Sequence, residues 1–537
     1  MPTISDSPSK KKKKKSGAVS TGVDSKKLFK EYFLIALSGG LLGLSAPGIN
    51  QWYIAWFGAV PLLIAIATSS GIKQAFLRGF TFGTAYNLVY ISWLLGLQPL
   101  NWLGFNWWQG GLLASAAWII CSVHQGLITA LFATIARLLP ITGGFFPKKT
   151  SGTFSLPALL AVPLLWILVH NFIGNAHDAL GIPWTMIEYS QYKQAYLIQC
   201  ASIIGGVGIG FLLIMWNTAL ATLLITFWKK KCSKILNVAS HEHAFYDALC
   251  TVITITAFVA GGFYVQSQNE VPATLNASVL QGNINIDMQK TEHRYTLPEL
   301  WQHYTGLVRN ANPGLCVWTE GALPAYLCLE PTIQSDLKRL AKHQSLDLVV
   351  GSIDRDALGH PYNSAYGITS DGSILTDVYH KRYLVPYGEY TPWLVNYLPE
   401  WIKRLTNTPA GGGYTAGRVP VVLRFKSGVV APLVCFETLS PELVASSVRA
   451  GGQLLVNISD LAWFHGSIIG DQMNAFSVMR AVESRRYFIF AANTGPSVII
   501  NPSGHIQKIS SLNKADLLLG KTGLNSKVTP FDRWFVF

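Results

Sequence analysis

A chain of 537 residues has room for several domains, and a composition half hydrophobic, 13% charged and carrying 17 tryptophans points to a membrane protein rather than one soluble domain. The formal net charge of +14 is concentrated: the first 30 residues hold nine lysines, including the run Lys10 to Lys15, against Asp6 and Asp24, and supply half of it. What remains is mildly basic, which argues against a nucleic-acid partner and leaves the tail as the cytoplasmic flank of a first membrane span; a nuclear-localisation reading fits poorly with the apolar spans that follow.

After that tail, apolar runs near the length needed to cross ~30 Å of hydrocarbon recur at Tyr32 to Ile49, Trp52 to Thr68, Gly79 to Leu97, Gly111 to Ile135, Leu156 to Ile173, Ile203 to Trp228 and Ala248 to Val265. No small-residue cleavage site closes the first run, so a cleaved signal peptide is not expected. Lys73 and Arg78, then Arg137, Lys148 and Lys149, then Lys229, Lys230, Lys231 and Lys234 fall on every second loop. Basic loops stay in the cytoplasm, so seven crossings carry everything after Val265 to the opposite side. Trp102, Trp107, Trp108 and Trp184 lie at the external ends of spans, where tryptophan serves as an interfacial anchor. Pro61, Pro157 and Pro163 mark kinks or misplaced span ends. Gly205, Gly206, Gly208 and Gly210 suit close helix packing. His124 and His170, in or near spans without a visible carboxylate partner, are weak candidates for a proton relay.

From Ala277 the texture changes to short β-prone runs at 278–281, 315–318, 346–351, 365–369, 373–379, 421–425, 429–434, 454–458, 488–492 and 497–501, with helical patterns at 297–310, 332–344, 441–450 and 472–485. Asp371-Gly372 and Ser503-Gly504 read as hairpin turns. Strands alternating with helices predict an α/β sandwich. Three polar residues stand just beyond apolar strand ends, where side chains line the ligand crevice of an open sheet: Glu320, Lys381 and Cys435. Singly, each has an ordinary reading, a solvated charge or a core thiol. Together they supply a base, a cation and a nucleophile. The seven cysteines (121, 200, 232, 250, 316, 328 and 435) include no C-x-x-C pair, so a metal site is not expected. Cys316 and Cys328 could pair in an oxidising compartment.

These residues resemble the nitrilase superfamily with its Glu-Lys-Cys triad, and within it the apolipoprotein N-acyltransferases. The resemblance rests on Trp318-Thr-Glu320-Gly-Ala-Leu-Pro324, Tyr362-Asn363-Ser364, Tyr379-His-Lys381-Arg-Tyr-Leu-Val-Pro386-Tyr-Gly388-Glu389-Tyr390-Thr-Pro392, Cys435-Phe-Glu437, Asn457-Ile-Ser-Asp-Leu-Ala-Trp463-Phe464 and Met479-Arg480-Ala-Val-Glu483. It covers the chain from about Lys30 onward. Three positions depart from the pattern: Thr319 stands where the family has Pro, Phe436 where it often has Tyr, and Asp460-Leu461 where it has Asn-Asp. The family's eighth span, expected after the external domain, is absent or truncated in a chain ending at Phe537.

The resemblance implies a multi-span α-helical membrane bundle followed by an αββα nitrilase-like sandwich: a lysine-rich tail over 1–30, about seven helices over 31–267, an external catalytic domain over 268–520 and a C-terminal segment over 521–537. It implies acyl transfer through a thioester on Cys435, with Glu320 as general base, and Lys381 and the Phe436 N–H at the oxyanion. Glu389 and Glu437 would orient Lys381 or the incoming amine, with Asn363 a further site residue. Trp393 and Trp463 are candidates for substrate or lid contacts, the lid being the apolar stretch Trp393 to Trp401 before Gly411, Gly412 and Gly413. The implied partners are a phospholipid acyl donor in the bilayer and the S-diacylglyceryl-cysteine of lipoproteins as acceptor, at the bacterial inner membrane with the catalytic domain periplasmic, and with no cofactor or metal. A membrane-tethered amidase of the same superfamily and a catalytically degenerate scaffold are the alternatives.

Overall fold

The computed structural model describes residues 25–142, 156–173, 184–227, 241–268, 271–292, 294–386, 388–390, 397 and 413–534. The first half is helical: α1 (Ser25–Gly43), α2 (Val60–Ala67), α3 (Ile72–Tyr90), α4 (Trp107–Leu138), α5 (Ala158–Ile167), α6 (Ala201–Phe227) and α7 (His241–Ser267). Each expected span coincides with one of these, but several ends move. Among the described residues, three helices are long and apolar enough to cross a membrane: Trp107–Leu138, Ala201–Phe227 and Ala244–Ser267.

The moved ends have local causes. α3 begins at Ile72 because Arg78 does not lie in a loop; it is buried in the helix, 2.5 Å from Glu31 of α1, and donates to the Ala65 carbonyl. An arginine so paired is a structural tie, not a loop charge that orients the chain. Pro61 sits in the first turn of α2 and Pro157 caps α5, positions a proline tolerates. Pro163 alone is internal, and α5 passes into a π-helical turn, Leu168–Ile173, beyond it. α4 starts on a capping box, with Asn106 Oδ1 accepting from the Gln109 N–H at 3.1 Å and Gln109 Oε1 accepting from the Asn106 N–H at 3.1 Å.

The glycine run in α6 does more than permit close packing. Gly205 breaks the helix (φ 70°, ψ 172°), and a Cβ there would lie 2.4 Å from the Phe531 ring. The break frees the Gly206 N–H, which donates to Glu483 Oε1 at 2.7 Å. Gly205→Ala meets both the left-handed backbone and the ring, so it is expected to destabilise the protein by about 2–4 kcal/mol, seen as a lowered Tm in detergent.

The second half is an αββα sandwich, as expected. One sheet runs in the order β13-β1-β2-β4-β5-β6, with β3 beside β4: β1 (Leu275–Gln281), β2 (Gly314–Val317), β3 (Leu323–Tyr326), β4 (Leu346–Arg355), β5 (Pro361–Ile368), β6 (Tyr379–His380) and β13 (Asp516–Thr522). The other runs β12-β11-β10-β9-β8-β7: β7 (Leu423–Phe425), β8 (Gly428–Val434), β9 (Leu454–Ser459), β10 (Phe488–Ala492), β11 (Val498–Ile500) and β12 (Ile506–Ile509). The central strands β1-β2-β4 and β8-β9-β10 are parallel, and their flanks are antiparallel. Alternation divides each strand between two cores. Val430, Val434, Leu454, Val456 and Ile458 face Val279, Val317 and Val349 across the sandwich, while Ala431, Leu433 and Leu455 face outward.

The helices α8 (Leu297–Val308) and α9 (Pro331–Gln344) cover the outer face of the first sheet through Leu300, Tyr304 and Leu337. The outer face of the second is covered by α10 (Pro441–Arg449) and by α11 (Ile469–Ser484), buried at every position but the exposed Asp471. α11 is the joint of the molecule. Met473, Phe476, Met479 and Val482 belong to the same apolar core as the bundle residues Trp184, Tyr189, Leu212 and Leu213. Past its end Arg485 donates to the Gln199 carbonyl at 2.9 Å, Ser202 Oγ at 3.1 Å and the Gly262 carbonyl at 3.3 Å, tying the end of the helix to α6 and α7. Trp184 is therefore no lipid anchor: it is 3% exposed, and its indole N–H donates to Gln472. Trp107 and Trp108, at 78% and 63% exposed, keep the anchor reading.

The catalytic half extends past residue 520, since β13 reaches Thr522 and pairs antiparallel with β1. The short helix α12 (Pro530–Trp534) then packs on α6, with Asp532 buried against Ser484 and Arg486. Cys316 is buried and Cys328 exposed, and both are free thiols.

Candidate active site

The strands that lead to Glu320, Lys381 and Cys435 end at one edge of the sandwich, and β5, which carries Asn363, begins there. β8 delivers Cys435, whose backbone adopts φ 54°, an uncommon conformation for a side-chain-bearing residue. This is the sharp strand-to-helix turn that the Val-Cys-Phe-Glu-Thr-Leu-Ser-Pro order predicts. Ser440 completes it by accepting from the Leu443 N–H at 3.2 Å at the start of α10. Asn457 Nδ2, on the neighbouring β9, donates to the Cys435 carbonyl at 2.8 Å and to Thr438 Oγ1 at 2.6 Å, holding the turn from below.

β2 and β6 supply the partners. Lys381 follows β6 and is 1% exposed; its Nζ lies 2.9 Å from the Glu389 carboxylate and 3.3 Å from Glu320 Oε1. Asn363 on β5 donates through Nδ2 to both carboxylates, at 2.7 Å to Glu320 and 2.8 Å to Glu389. The second oxygen of Glu320 accepts the Asp460 N–H at 2.9 Å, and that of Glu389 accepts the Val385 N–H at 2.8 Å. Glu320, Lys381, Glu389 and Asn363 thus form one network beside Cys435.

The electrostatics follow from burial and these contacts. Burial alone would lower the Lys381 pKa, but the Glu320 and Glu389 charges outweigh it and hold the ammonium well above the usual lysine value. Burial pushes Glu320 up, with Glu389 adding to the rise and Lys381 opposing it. Burial also pushes the Cys435 thiol up, reinforced by the Glu320 charge; Lys381 lowers it but does not prevail. Here Cys435 rests as a thiol, and its proton needs an acceptor during attack.

Glu437 is placed otherwise than the resemblance implied. Fully buried, it accepts from the Val434 N–H (2.6 Å), Tyr379 Oη (2.7 Å), the Arg382 N–H (2.6 Å) and the Tyr383 N–H (3.1 Å). It clamps the cysteine turn to the lysine loop instead of touching the Lys381 ammonium. Glu437→Ala orphans four donors and is expected to cost about 3–5 kcal/mol, read as a large fall in Tm, with Glu437→Gln milder.

Phe436 turns away from the carboxylates and packs edge-on against Trp184, centroids 4.9 Å apart. Trp463 stacks edge-on with Trp102 of the bundle at 4.9 Å, and Lys290 Nζ lies 5.5 Å above its ring. Trp463 therefore lies where catalytic domain and membrane helices meet. Trp393 lies outside the described residues, as does most of the proposed lid; Tyr397 within it is 79% exposed. His170 is held by Thr129 Oγ1 at 3.2 Å and the Trp166 carbonyl at 3.2 Å, stacked on the Trp166 ring, an arrangement that explains its burial without a relay. His124 is likewise partnered.

One site residue was not foreseen, and another was marked only as a departure from the pattern. Asp460, the departure, contributes a backbone donor to Glu320 that its side chain does not signal. Tyr414 lies within electrostatic reach of Glu389, Glu320 and Lys381, and no sequence pattern singles it out.

Residues 38–219 match the family model of the apolipoprotein N-acyltransferase N-terminal domain, and residues 276–525 that of carbon-nitrogen hydrolases. The chain is 30% identical over 515 residues to an apolipoprotein N-acyltransferase of Geobacter metallireducens, covering 94% of this chain and 92% of that one. A relative of the same name from Nitrosomonas europaea is 28% identical over 511 residues, 94% of each chain. Among solved structures, Nit3 of Saccharomyces cerevisiae, a member of branch 10 of the nitrilase superfamily, aligns at 15% identity and TM-score 0.35 over 47% of this chain and 91% of its own. With both halves matched in order and a relative aligned nearly end to end, this chain belongs to the apolipoprotein N-acyltransferase family, membrane-bound acyltransferases of the carbon-nitrogen hydrolase superfamily.

Proposed function

We propose that the protein moves a fatty acyl chain from a membrane phospholipid to the N-terminal α-amine of S-diacylglyceryl-cysteine in a lipoprotein, by a ping-pong route through a thioester on Cys435. The observation that carries this reading is the convergence of Glu320, Lys381 and Cys435 at strand ends beside the bundle, with Lys381 Nζ 3.3 Å from Glu320 Oε1 and the thiol electrostatically coupled to both.

In the first half-reaction the Cys435 proton passes to Glu320 as sulfur attacks the ester carbonyl carbon. The tetrahedral oxyanion is stabilised by the Lys381 ammonium and the Phe436 backbone N–H. Collapse breaks the carbon–oxygen ester bond, the Glu320 proton goes to the departing glycerol oxygen, and a lysophospholipid leaves. In the second half the amine attacks the thioester carbon and gives a proton to Glu320. The carbon–sulfur bond then breaks, Glu320 returns its proton to the departing sulfur, and an amide and the restored thiol remain. Asn363 and Glu389 hold Glu320 and Lys381 in register throughout. The catalytic domain lies on the periplasmic side of the inner membrane, with the lysine-rich tail cytoplasmic. Its docking on the bundle through α11 and Trp463 lets both acyl substrates stay in the bilayer.

The test is intact-mass spectrometry of the purified protein in detergent with phospholipid, followed by addition of a diacylglyceryl-cysteine peptide. A hydroxylamine-sensitive gain of one acyl chain, discharged onto the peptide amine, is the expected result. Discharge to water at the same rate without peptide would favour the amidase reading.

A further inference from the structure

Glu320 carries the proton in both half-reactions of that mechanism, so whatever fixes its orientation and charge governs both. Its Oε1 is shared between Asn363 and Lys381, and its Oε2 accepts a hydrogen bond from the Asp460 backbone N–H at 2.9 Å. That N–H is aimed by a short network. Asp460 Oδ1 accepts from the Ala462 N–H at 3.0 Å, closing a tight turn after β9, and from Asn493 Nδ2 at 2.9 Å beyond the end of β10. Asn493 in turn donates to the Ile284 carbonyl at 2.6 Å and accepts the Ile284 N–H at 2.9 Å, so the turn is tied to the segment after β1, on the sheet opposite. The two sheets of the sandwich are joined here, at the point where the general base takes its second hydrogen bond.

Asp460 brings a negative charge as well as a turn. We infer that Asp460 is a positioning residue for Glu320, one whose side chain aims the backbone donor at the carboxylate and whose charge sets how far the pH can fall before acylation stops. The inference rests on the reading of Glu320 as general base.

The charged and titratable groups facing Glu320 are Lys381, Glu389, Cys435, Tyr414 and Asp460, with Lys290 and Tyr304 next to Asp460. Lys381 favours the ionised carboxylate, whereas Glu389 and Asp460 disfavour it. Burial raises the Asp460 pKa itself, with Asn493, the Ala462 N–H, Gln289 and Lys290 opposing. Removing the Asp460 charge while keeping its oxygen acceptor therefore lowers the Glu320 pKa. Since the base must be ionised to accept the thiol proton, the acidic limb of acylation moves to lower pH.

The experiment measures the rate of Cys435 acylation by intact mass from pH 4 to 9 (about five units, spanning the carboxylate range) in the full-length protein, as wild type, Asp460→Asn and Asp460→Ala. Asp460→Asn is expected to keep the plateau rate within about threefold and to shift the acidic limb down by several tenths of a pH unit. Asp460→Ala, which loses the acceptor, is expected to drop the plateau roughly tenfold or more. If Asp460→Ala does not fold, Asn493→Ser replaces it, with the same drop in plateau expected from loss of the tie across the sheets. An unmoved acidic limb in Asp460→Asn overturns the charge role, and an unchanged plateau in the truncated variant overturns the positioning role. Failure of the wild type to form any adduct is a different result, and defeats the thioester mechanism instead.

Discussion

Cys435→Ala is expected to abolish the acyl adduct and reduce transfer to background, a loss of at least about 10³-fold, while Tm in detergent stays within a few degrees of wild type. Activity and stability separate here for a structural reason. The uncommon backbone at φ 54° burdens cysteine and alanine alike, so the substitution neither relieves nor adds much strain. The turn is held by atoms other than the thiol: the Cys435 carbonyl on Asn457 and the carboxylate of Glu437 on the Val434 N–H. Cys435→Ser is a sharper comparison. A hydroxyl is a poorer nucleophile and its ester transfers less readily to an amine, so accumulation of a hydroxylamine-resistant adduct with little turnover is expected, observed by the same mass measurement.

The features legible in the sequence were those with a one-dimensional signature. Val429 to Val434 alternates between two buried faces and stops at Cys435, and the strand occurs at Gly428–Val434. Phe488 to Ala492 was read to the residue. Leu323–Tyr326 escaped notice because it is four residues long and contains Pro324; Ile506–Ile509 and Asp516–Thr522 escaped because edge strands mix Lys and Asp with their apolar positions. In the bundle, hydropathy found each helix but misjudged Arg78, whose charge looks like a loop until Glu31, 47 residues away, is seen to neutralise it. Trp184 failed for a related reason: a tryptophan at a span's end suits a lipid interface, and only the fold brings Gln472, Phe436 and Phe476 against it. The site divides along the same line. Side chains in ordered motifs were found; the roles of Glu437 and Asp460, which act through backbone N–H groups brought together from separate strands, were not.

Lys381→Met is expected to cost about 10³-fold in acylation and about 3–5 kcal/mol in stability. Both follow from what the ammonium leaves behind. Glu320 and Glu389 would then share the Asn363 amide nitrogen and keep one backbone N–H each, from Asp460 and Val385, with no cation between them, in a site where burial already raises the Glu320 pKa. Without the cation, Glu320 holds its proton to higher pH, so residual acylation should show its acidic limb displaced upward, the opposite sense to Asp460→Asn. The pH dependence of stability has a definite sign. The folded lysine pKa is raised, so its contribution is fully present below the unfolded value near 10.4 and fades only as pH rises through the folded value. Across neutral pH the wild-type advantage is therefore level. It narrows on acidification, because protonating Glu320, whose pKa burial raises, relieves the variant of a buried charge that has lost its cation. Thermal melts of both proteins from pH 4 to 8 (about four units, bracketing the carboxylate range) should converge toward the acid end. A constant gap across that range would mean that Lys381 acts by packing alone and that the carboxylates never depended on its charge.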